Sequence, residues 1–257
     1  MRINTNVGAL NSTKNAFINT MATESSMRKL SSGLRISRAA DDAAGLSIAN
    51  KLRTQSRSLT VAAANAEQGG AMLQIAEGSA STIQKILERQ KELVIQRESS
   101  GNNNSVTATL NAEITTLSTE VDRIISSTNF QGSSVFASLS FQVSDGTAGG
   151  TVTVDASLAS GTVSMAGTST ISQVDTALTA INSVLANIGA GQNRLDYTVQ
   201  NLKSAVVNVK AAESTIRDVD MAEEMANYTK NNILTQAAQA MLSQANQSSQ
   251  SVLSLLR

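Results

Sequence analysis

Residues 45–98 read GLSIANKLRTQSRSLTVAAANAEQGGAMLQIAEGSASTIQKILERQKELVIQRE, and their apolar side chains recur at alternating steps of three and four. Ile48, Leu52, Leu59, Ala62, Ala66, Leu73, Ala76 and Ile83 make one ladder, with gaps at Gln55, Gly69 and Ala80. Met72, Ala76, Ser79, Ile83, Ile86, Gln90 and Leu93 make a second. A period near 3.5 predicts a helix that packs along its whole length. Unbroken, it would be roughly 80 Å long at about 1.5 Å per residue. Gly69, Gly70 and Gly78 each weaken it by roughly 1 kcal/mol relative to Ala.

Outward from this stretch the pattern repeats. Ser99-Ser100-Gly101-Asn102-Asn103-Asn104 reads as a loop. Beyond it, Leu110, Ile114, Leu117, Val121 and Ile124 predict a shorter helix, antiparallel to the first. Residues 129–172 change character: Phe141 and Val143, then Asp145-Gly146, then Val152 and Val154, predict short strands around turns. Helix returns with Val174, Leu178, Ile181, Leu185 and Ile188, is interrupted by Gly189 and Gly191, and resumes at Leu195, Val199, Leu202, Val206, Val209 and Ile216. The last segment carries Leu234, Ala238, Met241, Ala245, Ser248, Val252 and Leu255. The predicted class is mainly α: a long antiparallel, coiled-coil-like helical bundle from both chain ends, with a small β element in the middle.

Composition narrows the function. In 257 residues, hydrophobic side chains make up 41% but aromatics only 2%, which suits thin helical bundles better than a thick core. Pro, Cys and His are all absent. Without Cys and His the chain cannot form disulfides, the usual zinc sites or a Ser-His-Asp triad, and we expect no enzyme activity and no cofactor. Lys plus Arg is 20 and Asp plus Glu is 20, without a basic stripe, so nucleic acid is not expected as a partner. No apolar run is long enough for a transmembrane helix, so no membrane insertion is expected. The N-terminal MRINTNVGAL lacks the apolar region and cleavage site of a secretory signal.

The two terminal arms are thin in bulky apolar residues, with Val7, Leu10, Phe17, Met21, Met27 and Leu30 on one side. A lone pair of such helices is marginal in water. Neighbouring copies would supply the missing burial, so the sequence points to a polymer.

A set of local motifs resembles the bacterial flagellins. They are Ile3-Asn4-Thr5-Asn6, Leu30-Ser31-Ser32-Gly33-Leu34-Arg35-Ile36, Asp41-Asp42-Ala43-Ala44-Gly45-Leu46-Ser47-Ile48-Ala49, Glu92-Leu93 and Asp122-Arg123-Ile124. Gln192-Asn193-Arg194-Leu195, Gln244-Ala245-Asn246-Gln247 and Val252-Leu253-Ser254-Leu255-Leu256-Arg257 complete the set. The resemblance implies a terminal helical pair, residues 1–42 plus 219–257, forming the filament core. It implies a helical second-layer domain at 43–218, with a variable β-rich stretch at about 133–172. Leu10, Phe17, Leu30, Leu34, Leu234, Met241, Val252, Leu253, Leu255 and Leu256 become the expected filament-core packing residues. The family departs from this chain at Ser248-Ser249, where it often carries Pro; a less kinked terminal helix is expected.

The resemblance also implies a self-assembling subunit of the bacterial flagellar filament, serving swimming motility. Such a subunit is extracellular and exported without a cleaved signal peptide. Its partners are other copies of itself, a flagellar export chaperone, and junction and cap proteins. Toll-like receptor 5 is implied as a host sensor through Arg89, Leu93 and Glu113, which match the family's receptor-recognised positions; Leu253, Leu255 and Leu256 match leucines read by cytosolic sensors. The alternative is the hook–filament junction protein, which shares the terminal helices; Gln192-Asn193-Arg194 and the closing Ser254-Leu255-Leu256-Arg257 favour the filament subunit.

The remaining polar clusters have plain readings. Asp41-Asp42 is read as a helix start rather than a metal pair. Glu223-Glu224, beside Asp218 and Asp220, is read as a solvated or inter-subunit charged face. Gly189-Ala190-Gly191-Gln192 lacks the third Gly and preceding strand of a phosphate loop.

Overall fold

The computed structural model describes residues 6–99, 103–144, 146 and 150–255, leaving aside the side chains of 160, 249, 250 and 252–255. Among the described residues there are six helices: α1 Val7–Ser32, α2 Ala43–Arg97, α3 Asn104–Ser127, α4 Ser160–Val163, α5 Ile171–Arg217 and α6 Met221–Leu255. Two antiparallel hairpins lie between α3 and α4: β1 Asn129–Phe130 with β2 Ser133–Ser134, and β3 Ser138–Gln142 with β4 Thr151–Asp155. The chain divides into two compact units, one of Met1–Thr54 with Val209–Arg257 and one of Gln55–Asn208.

In the second unit α2 supplies a continuous apolar seam. Leu59, Ala62, Ala66, Leu73, Ala76, Ala80, Ile83, Leu87 and Val94 are all buried. Facing it, α3 buries Leu110, Ile114, Ser118 and Val121, and α5 buries Val174, Ala177, Ile181, Val184, Ile188, Gly191, Leu195 and Leu202. Both partners run antiparallel to α2. Three polar bridges mark the α5 contact, at Lys91–Asp175 (2.7 Å), Gln192–Glu77 (2.8 Å) and Lys203–Glu67 (2.7 Å).

The predicted interruption at Gly189 and Gly191 does not occur: α5 runs unbroken through both. Gly191 instead stands in phase with the buried seam, where a Cβ would lie 2.5 Å from a methyl of Val154 on β4. Gly69 plays the matching part on α2, since its Cβ would lie 2.8 Å from the Phe141 ring on β3. One glycine on each long helix therefore admits one strand of the hairpin. Asn187 and Arg194 donate to the carbonyls of Asp155 and Thr153, and Asn65 to that of Gln142. The hairpin takes up the stretch of α2 beyond the end of α3, where Thr128 meets Ser79.

The predicted strands fall at β3 and β4, paired from Ser138–Asp155 to Gln142–Thr151; Asp145, in the expected turn, lies outside the described residues. The β1–β2 hairpin was not anticipated. Gln131 and Gly132 both take positive φ, 51° and 83°, as a two-residue turn matched to strand twist requires.

Gly191→Ala is expected to lower unit stability by about 1–3 kcal/mol, because the buried Val154 must shift. Gly189→Ala, whose added Cβ meets no described residue within 4 Å beyond its own helix turn, is expected to stabilise by about 1 kcal/mol. Urea denaturation followed by circular dichroism measures both, and equal effects would refute the packing role.

Candidate assembly surface

The first unit holds the terminal helices. At the start of α1, Asn6 accepts the Ala9 N–H (3.0 Å) and donates its amide to the carbonyl of Ala245 (3.0 Å). Near the other end Lys29 meets Glu224 at 3.6 Å. The helix stops at Gly33, whose φ of 69° is the left-handed conformation that ends helices, and its N–H returns to the Lys29 carbonyl. The chain then pairs with the stretch before α6: Val219 N–H to Gly33 O (3.1 Å), Arg35 N–H to Arg217 O (2.7 Å), and the Arg35 guanidinium to Ile216 O (2.6 Å). Asn6 with Ala245, Lys29 with Glu224 and Leu34 with Asp218 keep step along the pair, so α1 and α6 lie antiparallel in one fixed register.

What the two helices share is small. Among the described residues Ser26 is the buried residue of α1, and Glu224 and Ala238 are those of α6. Ala9, Ser12, Ala16, Asn19 and Ala22 on α1, and Asn231, Thr235, Leu242 and Ala245 on α6, are half-buried along the same seam. Mostly small side chains bring the two helices together and bury little apolar area, which leaves little hydrophobic stabilisation in the pair itself.

The bulk faces outward. Leu10, Phe17 and Met21 are 60%, 65% and 56% exposed, and their spacing puts them on the side of α1 opposite the Ala/Ser seam. Leu234 and Met241, two turns apart on α6, are exposed together, as are Met221 and Met225 one turn apart. Of the expected packing residues, Leu10, Phe17, Leu234 and Met241 thus stand free on the surface of the single chain, whereas Leu30 and Leu34 are half-buried. The side chains of Val252, Leu253 and Leu255, and the whole of Leu256, lie outside the described residues. The helix α6 itself continues through Ser248-Ser249, where no proline stops it.

The acidic clusters serve local structure. Asp42 caps α2 by accepting the Gly45 N–H at 2.9 Å. Asp41 closes the preceding loop, accepting N–H groups from Ser37 and Arg38, and the Arg38 and Ser37 amides hold its carboxyl below the usual carboxylate range. Asp220 accepts from the N–H groups of Ala222 and Glu223 at the start of α6. Glu224 is buried within the pair rather than solvated.

On the second unit, α2 and α3 bring Arg89 and Glu113 together. The Arg89 guanidinium donates to Glu92 (2.8 Å) and to Glu113 (3.4 Å), and Glu92 first, with Glu113 adding, holds its pKa above the usual value. Both side chains are about half exposed. Leu93 is different: it is 1% exposed, in the core beneath them.

A buried polar node beside them was missed by sequence reasoning. Gln90 is fully buried, and its Nε2 donates to Ser118 Oγ (3.0 Å) and to Ile114 O (3.2 Å). Ser118 also accepts the Met165 N–H and donates to the Met165 carbonyl, tying the segment after α4 to α3. Among the described residues Gln90 Oε1 has no hydrogen-bond partner. Arg97 acts nearby as a strap, donating to the carbonyls of Gly167 and Ser169. Among the described residues no cluster of three metal-ligating side chains occurs, and no helix is long and apolar enough to cross a membrane.

With this geometry in view, comparison with known proteins gives consistent matches. The family model for the bacterial flagellin N-terminal helical region matches residues 3–140, and the one for the C-terminal helical region matches residues 171–256. A flagellin of Halalkalibacterium halodurans is 40% identical over 272 aligned residues, and a flagellin of Bacillus subtilis 39% over 304. The flagellar filament 33 kDa core protein of Treponema phagedenis is 37% identical over 286. Each alignment covers 100% of both chains.

Proposed function

The chain belongs to the bacterial flagellin family; it is a structural subunit of the extracellular flagellar filament that associates with its own copies, and we propose that residues 1–42 and 219–257 form the filament core. Residues 43–218 then make the second layer, with about 133–172 as its variable part. The subunit works by packing, and by small sliding between copies, rather than by catalysis. The observation that supports this most directly is the outward apolar face of α1 and α6 in a pair whose own seam is small. Leu10, Phe17, Leu234 and Met241 become the principal inter-subunit contacts, Leu30 and Leu34 support them from within the pair, and Val252, Leu253, Leu255 and Leu256 extend them toward the C-terminus.

Seeding the purified chain with sheared filament fragments and imaging by electron microscopy tests this. Long filaments are expected from the full chain and none from a copy lacking residues 219–257. If the seeded full chain stays monomeric, the hook–filament junction role takes its place. The filament core proteins among the relatives favour the subunit.

The same reading includes export without a cleaved signal peptide, and contacts with an export chaperone, junction and cap proteins. It also includes recognition of the free subunit by Toll-like receptor 5. Arg89 and Glu113 offer a paired cation and carboxylate at the surface, and buried Leu93 fixes the face of α2 on which Arg89 stands. Charge reversal at both, Arg89→Glu with Glu113→Lys, is expected to cut the reporter-cell response to monomer at least about tenfold, since unpaired interface charges typically cost 2 kcal/mol or more. An unchanged dose response removes the receptor assignment.

A further inference from the structure

The chain's methionines are divided sharply between the two units. Of eight methionines, Met1 lies outside the described residues. Met72 and Met165, in the second unit, are 7% and 6% exposed. The other five, Met21, Met27, Met221, Met225 and Met241, all stand on α1 and α6 and are 49–62% exposed. The chain has no cysteine, so no thiol competes for an oxidant and the thioethers are its most readily oxidised sulfur groups.

We propose that these five methionines are oxidation sites of the free subunit, and that their conversion to sulfoxides by a peroxide reversibly blocks assembly. In each step the thioether sulfur attacks one peroxide oxygen. The O–O bond breaks, an S–O bond forms, the sulfur loses two electrons, and the second oxygen leaves as water. The product is a polar, chiral group on what was a flexible apolar side chain.

Position gives the modification its consequence. Met21 continues the Leu10–Phe17 face of α1, Met241 shares a flank of α6 with Leu234, and Met225 lines a shallow apolar groove with Ile233 and Leu234. These are the surfaces that the filament reading, on which this proposal rests, places between copies. A sulfoxide there must find a hydrogen-bond donor or be buried unsatisfied. Within one chain the same five side chains touch water, so oxidation leaves the fold of the free subunit in place. Once copies are packed, the thioethers are shielded, and the finished filament resists the reagent that disables its building block.

The experiment treats purified monomer with hydrogen peroxide, maps sulfoxides by peptide mass spectrometry, and measures elongation from sheared seeds. Circular dichroism checks the fold. Met21, Met27, Met221, Met225 and Met241 are expected to oxidise before Met72 and Met165, and the oxidised monomer to elongate at least about tenfold more slowly. Methionine sulfoxide reductases A and B are expected to restore the rate. A variant with Leu at all five positions, a volume-conserving change, is expected to elongate equally with and without peroxide; if that variant fails to assemble, the reductase arm decides. Oxidised wild type growing at the untreated rate overturns the proposal, as does no rescue by the reductases or earlier oxidation at Met72 and Met165. Failure of untreated monomer to elongate seeds overturns the filament reading itself, and the proposal with it.

Discussion

Changing Leu10 and Phe17 together to glutamine is expected to raise the critical concentration for filament growth roughly 30- to 700-fold while leaving the free chain as stable as before. Both side chains are more than half exposed on α1, away from its seam with α6. Glutamine is a good helix former, so α1 keeps its propensity. Surface changes of this kind move stability by about 0.5 kcal/mol or less. Assembly is different. Fully burying a Leu or Phe is worth about 1.5–3 kcal/mol, and these two are already partly covered, so about 2–4 kcal/mol for the pair is a fair expectation. At 1.4 kcal/mol per decade that gives the stated range. Sedimentation of seeded samples across concentrations reads the critical concentration, and urea denaturation reads the stability. An unchanged critical concentration would mean that this face of α1 does not lie between copies. A large loss of stability would instead mean that the two residues serve the single chain.

This contrast also marks the limit of what the sequence could say. The alternation of three and four along residues 45–98 located α2, which ends at Arg97. The Ser99–Asn104 breaker, whose residues 100–102 lie outside the described residues, separated it from α3, which begins at Asn104. The antiparallel pairing that followed is what sets Arg89 opposite Glu113. In the terminal arms, however, the pattern shows which face is apolar without showing whether its partner belongs to the same chain. The ladder through Leu234 and Met241 therefore suggested a seam, whereas the seam within the chain runs through Asn231, Thr235, Ala238 and Ala245. Among the described residues only Ala238 and Ala245 belong to both. Gly69 and Gly191 were read as weak points because propensity scores a glycine against alanine in isolation. Their use is legible only once Phe141 and Val154 are seen in the space a Cβ would fill. Leu93 and Gln90 already lay on the second ladder, so their burial was available from spacing. The partner of Gln90 was not, because Ser118 reaches it only through the register between α2 and α3.

That register makes Gln90→Glu a costly change in the second unit. The wild-type amide places its donors toward Ser118 Oγ and the Ile114 carbonyl. An ionised carboxylate would direct lone pairs at the same two oxygens, in a site with no exposure to water. Burial and the missing donors push the introduced carboxyl's folded-state pKa above the unfolded value of about 4.3. If it keeps its proton at pH 7, the cost is about 2.7 pH units at 1.36 kcal/mol each, or about 3.7 kcal/mol. The sign follows from linkage. Below about pH 4 the group is protonated in both states and the pH-dependent part of the penalty vanishes. It grows as pH rises from there and levels off only above the folded-state pKa. The difference in unfolding free energy between variant and wild type, measured by urea denaturation from pH 4 to pH 8, should therefore widen with pH. Gln90→Leu is the control: it removes the unpartnered Oε1 and leaves Ser118 bonded to the Met165 backbone. It is expected to cost no more than about 1.5 kcal/mol, independent of pH. A Glu variant as stable as wild type at pH 7 would show that water or a cation reaches residue 90, and that α2, α3 and the segment after α4 do not close around it.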